Sequence, residues 1–181
     1  MPILLCHFAT PGGPGLGRAR AGHAAGMRFP QPTNDMSTPI IARYLNKQAP
    51  HSPRERINGF VIAARTVDKC RANLAGKLGE YHYDCPLDNM LFSFKGITAK
   101  QFTKAVTTAS DYEKVGEWLQ MNGTPKTAAE IKAWSDGLEA ASLYSDPEKR
   151  AFFVESCQKL GINPEKSTTF DWLEADDRAS F

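Results

Sequence analysis

The chain has 181 residues, a length that suits one domain or one domain with an extension. Its 22 basic and 20 acidic side chains give a formal net charge of +2, too small to attract a nucleic-acid phosphate backbone. No apolar run approaches the roughly 20 residues of a membrane span, and the early run Ile3-Leu4-Leu5 is too short for a signal peptide. We expect a cytoplasmic protein, with neither nucleic acid nor a membrane as partner.

Residues 1–35 differ in composition from everything that follows them. They contain six glycines, five prolines and three arginines against one acid, without a helical or strand period. Such a segment buries too little apolar area to offset its ordering entropy. It is interpreted as a disordered tail or as the artefact of an upstream start codon. An arginine-rich targeting peptide is the third alternative, which the lack of an amphipathic face disfavours. We expect residues 36–181 to form a single helical domain.

A helix is predicted over residues 55–78, because its apolar residues form a stripe at helical spacing. The stripe consists of Ile57, Phe60, Val61, Ala64, Val67, Ala75 and Leu78. Asp68 and Arg71 fall inside the stripe, whereas Lys69 and Lys77 are expected to face solvent. Buried charges need partners. The Asp68 and Arg71 side chains therefore form a structural ion pair or line a pocket in which Arg71 binds a carboxylate or phosphate. In that pocket Asp68 would orient the ligand or act as a base, and Arg65 would join the rim.

The next segment, residues 79–88, concentrates chemically versatile side chains. A short extended segment is predicted near 80–85, ended by Pro86. Its candidate site residues are Glu80, Tyr81, Tyr83, Cys85 and Asp88. A helix beginning near Pro86 would place Cys85 at its N-terminus, where a thiol can become a nucleophile. The alternative is a tight turn with core tyrosines and a small buried cysteine.

Helix-start signals recur along the rest of the chain. Capping boxes are predicted at 98–101, 110–113, 127–130 and 145–148, the last with a proline at the first helical position. A short final helix is expected to hold Phe170, Trp172 and Leu173. The predicted fold is therefore mainly α, a single-domain bundle of about six helices with one short extended segment.

Charge is distributed unevenly along the chain. Residues 36–71 contain seven basic and two acidic side chains, and residues 165–181 contain five acidic and two basic ones. Either the acidic end docks on the basic segment, or both are solvated. A third interpretation is an anion site in the basic segment. The four cysteines and four histidines have no metal-ligand spacing, so no metal site is predicted, and no motif identifies a cofactor.

One stretch of the chain resembles a known family. The residues that carry the resemblance are Pro53-Arg54, Gly59-Phe60, Arg65, Asp68-Lys69-x-Arg71-Ala72-x-Leu74-Ala75-Gly76, Gly79-Glu80-Tyr81-x-Tyr83-x-Cys85-Pro86-Leu87-Asp88 and Phe170-Asp171-Trp172-Leu173-Glu174-x-Asp176-Asp177. Over roughly residues 50–178 the sequence is similar to bacterial domain-of-unknown-function family 5069. The resemblance implies a small, mostly helical domain of the bacterial cytoplasm, and it implies no activity.

Three hypotheses for function follow. The first is a binding module for a small anionic ligand or a protein partner, using Arg65, Asp68 and Arg71 together with the loop at 81–88. The second is a small enzyme with carboxylate or thiol chemistry, whose candidate residues are Asp68, Glu80, Cys85 and Asp88. The third is a structural interaction protein without a pocket. The sequence favours the binding module and leaves the ligand and the oligomeric state open.

Overall fold

The computed structural model of the chain describes residues 41–181, so the interpretation of residues 1–35 lies outside the described part. Within that part the chain forms seven α-helices and no strand, which confirms the mainly α prediction. The helices are α1 (Ala63–Leu74), α2 (Pro86–Lys95), α3 (Ala99–Thr108), α4 (Tyr112–Met121), α5 (Ala128–Ala140), α6 (Arg150–Lys159) and α7 (Thr169–Ser180). A 3-10 turn at Leu143–Ser145 precedes α6.

Helix α1 lies at the centre of the bundle. It packs against α2, α3 and α4, while α5 packs against α7. Ten consecutive residues of α1, at 63–72, are buried, so this helix has no solvent-facing side until its last turn. Its polar side chains therefore need partners from the surrounding elements.

The predicted helix over 55–78 is wrong in its first eight residues and in its last four, since α1 ends at Leu74 and Ala75 of the predicted stripe is exposed. Asn58 and Gly59 have positive φ angles of 48° and 90°, and Ile57 and Phe60 exchange backbone hydrogen bonds of 3.1 and 3.0 Å. These residues form a two-residue turn of the kind that Asn-Gly favours, which a helix cannot contain. Ile62, at φ 59°, then marks the beginning of α1. The apolar residues that precede α1 are buried as expected, but they lie in a turn and not in a helix.

The predicted helix starts are partly confirmed. The capping boxes of α3 and α5 form at Thr98 and Thr127. The caps of α4 and α6 lie later than predicted, at Asp111 and Lys149. The start of α6 is displaced because residues 147–149 form a turn after Asp146. The final helix is longer than expected, and a capping box between Thr168 and Asp171 begins it.

The segment at 80–85 forms no strand. It is a loop from α1 to α2, and in residues 41–181 the one β-type pairing is the bridge between Ile57 and Phe60. Pro86 is the first residue of α2 and Cys85 caps it, as predicted. No helix among the described residues is long and apolar enough to span a membrane.

The acidic end of the chain docks on the basic segment, which confirms the first of the three interpretations of the uneven charge. Arg54 binds Asp171 at 2.8 Å and Glu174 at 2.7 Å, and Arg65 binds Asp177 at 2.6 and 3.0 Å. These contacts hold α7 against the start of the domain.

Candidate functional site

The buried polar side chains of α1 point to three different sides and form three clusters. The Asp68 cluster consists of Arg43, His51, Asp68, Arg71 and Tyr112. The Lys69 cluster consists of Thr66, Lys69, Cys85 and Asp88. The Arg65 cluster consists of Arg65, Tyr81 and Asp177. The predicted site residues are thus brought around one helix, but they do not form one site.

In the Asp68 cluster, a fully buried carboxylate collects donors from two other parts of the chain. Asp68 accepts hydrogen bonds of 2.7 Å from both the backbone N–H and the Nδ1 of His51, and a further one from the Tyr112 hydroxyl. A guanidinium nitrogen of Arg43 donates to Nε2 of His51 at 2.8 Å, and Arg43 Nε lies 3.4 Å from the carboxylate. Since a guanidinium only donates, His51 carries its proton on Nδ1 and accepts at Nε2.

Arg71 enters the same cluster without a side-chain hydrogen bond to any residue in 41–181. Its guanidinium lies over the Tyr112 ring, 4.9 Å from the centroid, and the residue is 7% exposed. Its buried Nε has no hydrogen-bond partner in the part of the chain that the structure describes. The sequence correctly predicted that Asp68 and Arg71 face inward, but the carboxylate is held by His51, Arg43 and Tyr112 instead of Arg71.

The local electrostatics favour the neutral phenol at Tyr112. Burial, the hydrogen bond to Asp68 and the negative charge of Asp68 together raise the pKa of Tyr112 to about 12, although the charges of Arg71 and Arg43 act in the opposite direction. The phenol therefore stays protonated at neutral pH and donates to Asp68. The ring of Tyr112 also contacts His51 edge-on, at 5.0 Å between centroids. Tyr112 is thus the common neighbour of His51, Asp68 and Arg71.

The Lys69 cluster corrects a sequence prediction. Lys69 was expected in solvent, but its side chain is 3% exposed and its ammonium lies 2.7 Å from Asp88 Oδ1. The same ammonium donates to Cys85 Sγ at 3.2 Å, and Thr66 donates to Asp88 at 2.9 Å. Burial lowers the pKa of Lys69, but Asp88 and the Cys85 sulfur raise it by more, so its pKa lies above the ordinary value. Lys77, the second lysine expected in solvent, is half-buried over the Tyr44 ring.

The Arg65 cluster is structural. Both terminal nitrogens of Arg65 bind the Asp177 carboxylate, and the Tyr81 hydroxyl donates to it at 2.7 Å. Burial and the Asp177 charge raise the pKa of Tyr81 well above its usual range. These contacts hold α7, and they occupy both terminal nitrogens of Arg65.

The remaining candidates lie apart from these clusters. Tyr83 donates to the Ala99 carbonyl oxygen at 3.0 Å and contacts Thr103, which fixes the loop to α3. Glu80 is exposed, and it lines with Tyr81 a cavity of about 390 Å³ beside the end of α7. No Lys or Arg side chain lines this cavity, so it lacks the cation that would bind an anion.

Sequence reasoning missed six residues of the clusters: Arg43, His51, Thr66, Lys69, Tyr112 and Asp177. His51 and Arg43 lie in an irregular segment where periodicity gives no orientation. Tyr112 occupies a helix N-terminus that was assigned one residue too early. The one available signal was charge balance, because an inward-facing carboxylate such as Asp68 requires donors from elsewhere in the chain.

Comparison with known protein families matches residues 47–179 to Domain of unknown function (DUF5069). The chain belongs to this family. The match confirms the resemblance and extends it slightly at both ends. Every predicted site residue lies within the DUF5069 span, as do His51, Lys69 and Tyr112, whereas Arg43 precedes it. A search of curated proteins finds no significant match.

Proposed function

We propose that this DUF5069 domain binds a small anionic ligand, a carboxylate or a phosphate ester, at the Asp68 cluster. One observation carries the proposal, namely the buried Arg71 Nε without an acceptor. An unsatisfied buried donor costs about 1–3 kcal/mol, and more when the group is charged. An anion beside Arg71 would supply that acceptor.

The charges of the cluster support an anion over a cation. Two guanidinium groups, of Arg43 and Arg71, lie around the one buried carboxylate, that of Asp68, while the Glu55 carboxylate, 3.6 Å from His51 Nε2, is more than half exposed. Asp68 is already satisfied by His51 and Tyr112, so it does not need Arg71. Arg43 is one-third exposed and therefore lies at the edge of the cluster, where a ligand would enter. An arginine fork fits a carboxylate or phosphate in a bidentate manner.

The test is a thermal-shift titration of the full chain with sodium orthophosphate, acetate and succinate, against sodium chloride at equal ionic strength. A ligand at a hundred times its dissociation constant adds about 2.7 kcal/mol. That free energy raises Tm by several degrees in a domain of this size. We expect at least one anion to raise Tm in the wild-type chain and to have no effect in Arg71→Met.

Two further variants make the test specific. Arg71→Lys keeps the charge but removes the planar fork, so we expect a reduced shift. Arg178→Met removes an exposed arginine on α7 and should leave the shift unchanged. Equal shifts in wild type and Arg71→Met, or no shift with any of the anions, would overturn the proposal.

A second candidate function, acid–base catalysis, is favoured by the hydrogen bond between His51 and Asp68. A carboxylate that fixes the tautomer of a histidine is part of the arrangement of a general base. Nε2 accepts from Arg43 in this structure, so base catalysis would require Arg43 to turn from Nε2 toward the bound anion. An experiment in D₂O distinguishes the two candidate functions. A general base would exchange the carbon-bound protons of succinate for deuterium, whereas a binding module would not. Proton NMR, with His51→Gln as control, measures the exchange.

A further inference from the structure

The Lys69 cluster lies outside the proposed anion site and has chemistry of its own. Cys85 is 5% exposed and stands at the N-terminus of the ten-residue helix α2. The Lys69 ammonium is 3.2 Å from its sulfur and 2.7 Å from the Asp88 carboxylate. A lysine nitrogen and a cysteine sulfur are thus held in contact in the interior.

The other two cysteines of the described chain have different surroundings. Cys70 contacts the Thr103 hydroxyl at 3.8 Å and also interacts with Tyr83, and burial raises the pKa of its thiol. Burial likewise raises the pKa of the Cys157 thiol. A cation and a helix N-terminus are the features that make a cysteine sulfur nucleophilic, and in residues 41–181 only Cys85 has both.

We propose that Cys85 and Lys69 are a modification site at which hydrogen peroxide generates a covalent sulfur–nitrogen cross-link. The Cys85 thiolate attacks peroxide, so that a sulfur–oxygen bond forms, the oxygen–oxygen bond breaks, and the leaving hydroxide takes a proton from Lys69. The neutral amine then attacks the sulfenic sulfur and displaces hydroxide, which leaves as water with a second proton from nitrogen. Thiolate, ammonium and one peroxide give the cross-link and two waters, with sulfur oxidised and peroxide reduced.

The geometry supports this step over the alternatives. Only 5% of Cys85 is exposed, which excludes a large substrate and selects an oxidant as small as peroxide. Asp88 fixes the nitrogen beside the sulfur, so the sulfenic acid meets an amine before it meets a second oxidant. The cross-link would join α1 to the start of α2, and a thiol reductant would reverse it by restoring the thiol and the amine.

The experiment treats the full chain with one equivalent of hydrogen peroxide and digests it without reductant for mass spectrometry. We expect a linked pair of peptides containing Lys69 and Cys85, about 2 Da lighter than their sum, which dithiothreitol separates. Lys69→Arg retains the charge beside Asp88 but has no amine that can lose a proton, so it should give no linked pair. Cys85→Ser should also give none.

Two results would overturn the proposal. One is conversion of Cys85 to sulfinic acid, without a link to Lys69, in the wild-type chain. The other is oxidation of Cys70 or Cys157 while Cys85 stays unmodified. Both are independent of the anion titration, because neither Lys69 nor Cys85 belongs to the Asp68 cluster.

Discussion

The polar residues buried around α1 differ sharply in how well their hydrogen bonds are satisfied. Asp68 receives donors from His51, Arg43 and Tyr112, whereas the Nε of Arg71 receives no acceptor from the described chain. A saturated carboxylate beside an unsatisfied guanidinium is what a preformed anion site requires. The proton on Tyr112 is part of that arrangement, because a phenolate there would repel Asp68.

Stability should therefore fall at alkaline pH through Tyr112. Its pKa is raised from 10.0 to about 12 in the folded state, so its contribution is fully present below pH 10 and is lost as the pH rises toward 12. Urea unfolding across this range should show the loss. Tyr112→Phe should be less stable than wild type at pH 8 and should lose less stability between pH 10 and 12. Parallel pH profiles for the two proteins would contradict this assignment.

At the residue scale, the sequence predicts burial better than it predicts partners. The apolar stripe correctly placed Asp68 and Arg71 inside, because both lie on the helix face that Ala64 and Val67 share. It wrongly placed Lys69 in solvent. An apolar stripe implies that only one side of a helix is buried, whereas other elements of the domain surround α1. The start of α2 packs against the side of α1 that carries Lys69. No local sequence signal predicts this tertiary contact.

At the scale of elements, the turn that precedes α1 sets how closely α4 can approach. Gly116, in the middle of α4, lies against this turn, and a Cβ added there would meet Ile57 Cγ2 at 2.5 Å and Asn58 Cγ at 2.8 Å. Because α4 also begins with Tyr112, this close packing helps to position the Asp68 cluster. Gly137 in α5 has open space around it instead.

The two glycines should respond oppositely to alanine. Gly116→Ala should destabilise the domain by about 1–3 kcal/mol, since overpacking of a buried contact outweighs the better helix propensity of alanine. Gly137→Ala should stabilise it by about 0.5–1 kcal/mol, because only the propensity gain remains. Urea denaturation of both variants measures the difference. A stabilising Gly116→Ala would show that α4 does not pack against residues 57–58.

The elements themselves were largely predictable, since the signals that begin helices are local. Thr98 and Thr127 are followed three residues later by Gln101 and Glu130, and both capping boxes form. The start of α1 was missed although Asn58-Gly59 is a strong turn signal, because helical spacing of the apolar residues on both sides concealed it. The segment at 80–85 alternates like a strand, but it has no second strand to pair with in the described chain.

At the scale of the whole molecule, arginines near the beginning of the domain bind carboxylates near its end. Arg54 and Arg65 bind three carboxylates of α7, which are more than 100 residues away along the chain. Arg65 also donates to the His51 carbonyl oxygen at 3.3 Å, so the docking of α7 is connected to the segment that supplies the Asp68 cluster. Arg56 makes a similar pair of contacts with Asp136 and Glu139, but at the surface.

Arg65→Met should therefore be far more damaging than Arg56→Met. Without Arg65, which is 4% exposed, Asp177 remains buried without its cation, so the free energy of unfolding should fall by about 3–5 kcal/mol. Arg56→Met breaks contacts that water screens and should cost less than about 1 kcal/mol. Hydrogen exchange adds the location of the effect, because the amides of α7 should lose protection in Arg65→Met and keep it in Arg56→Met. Equal protection of α7 in both variants would mean that apolar contacts of Phe170 and Trp172 hold this helix in place without the arginine.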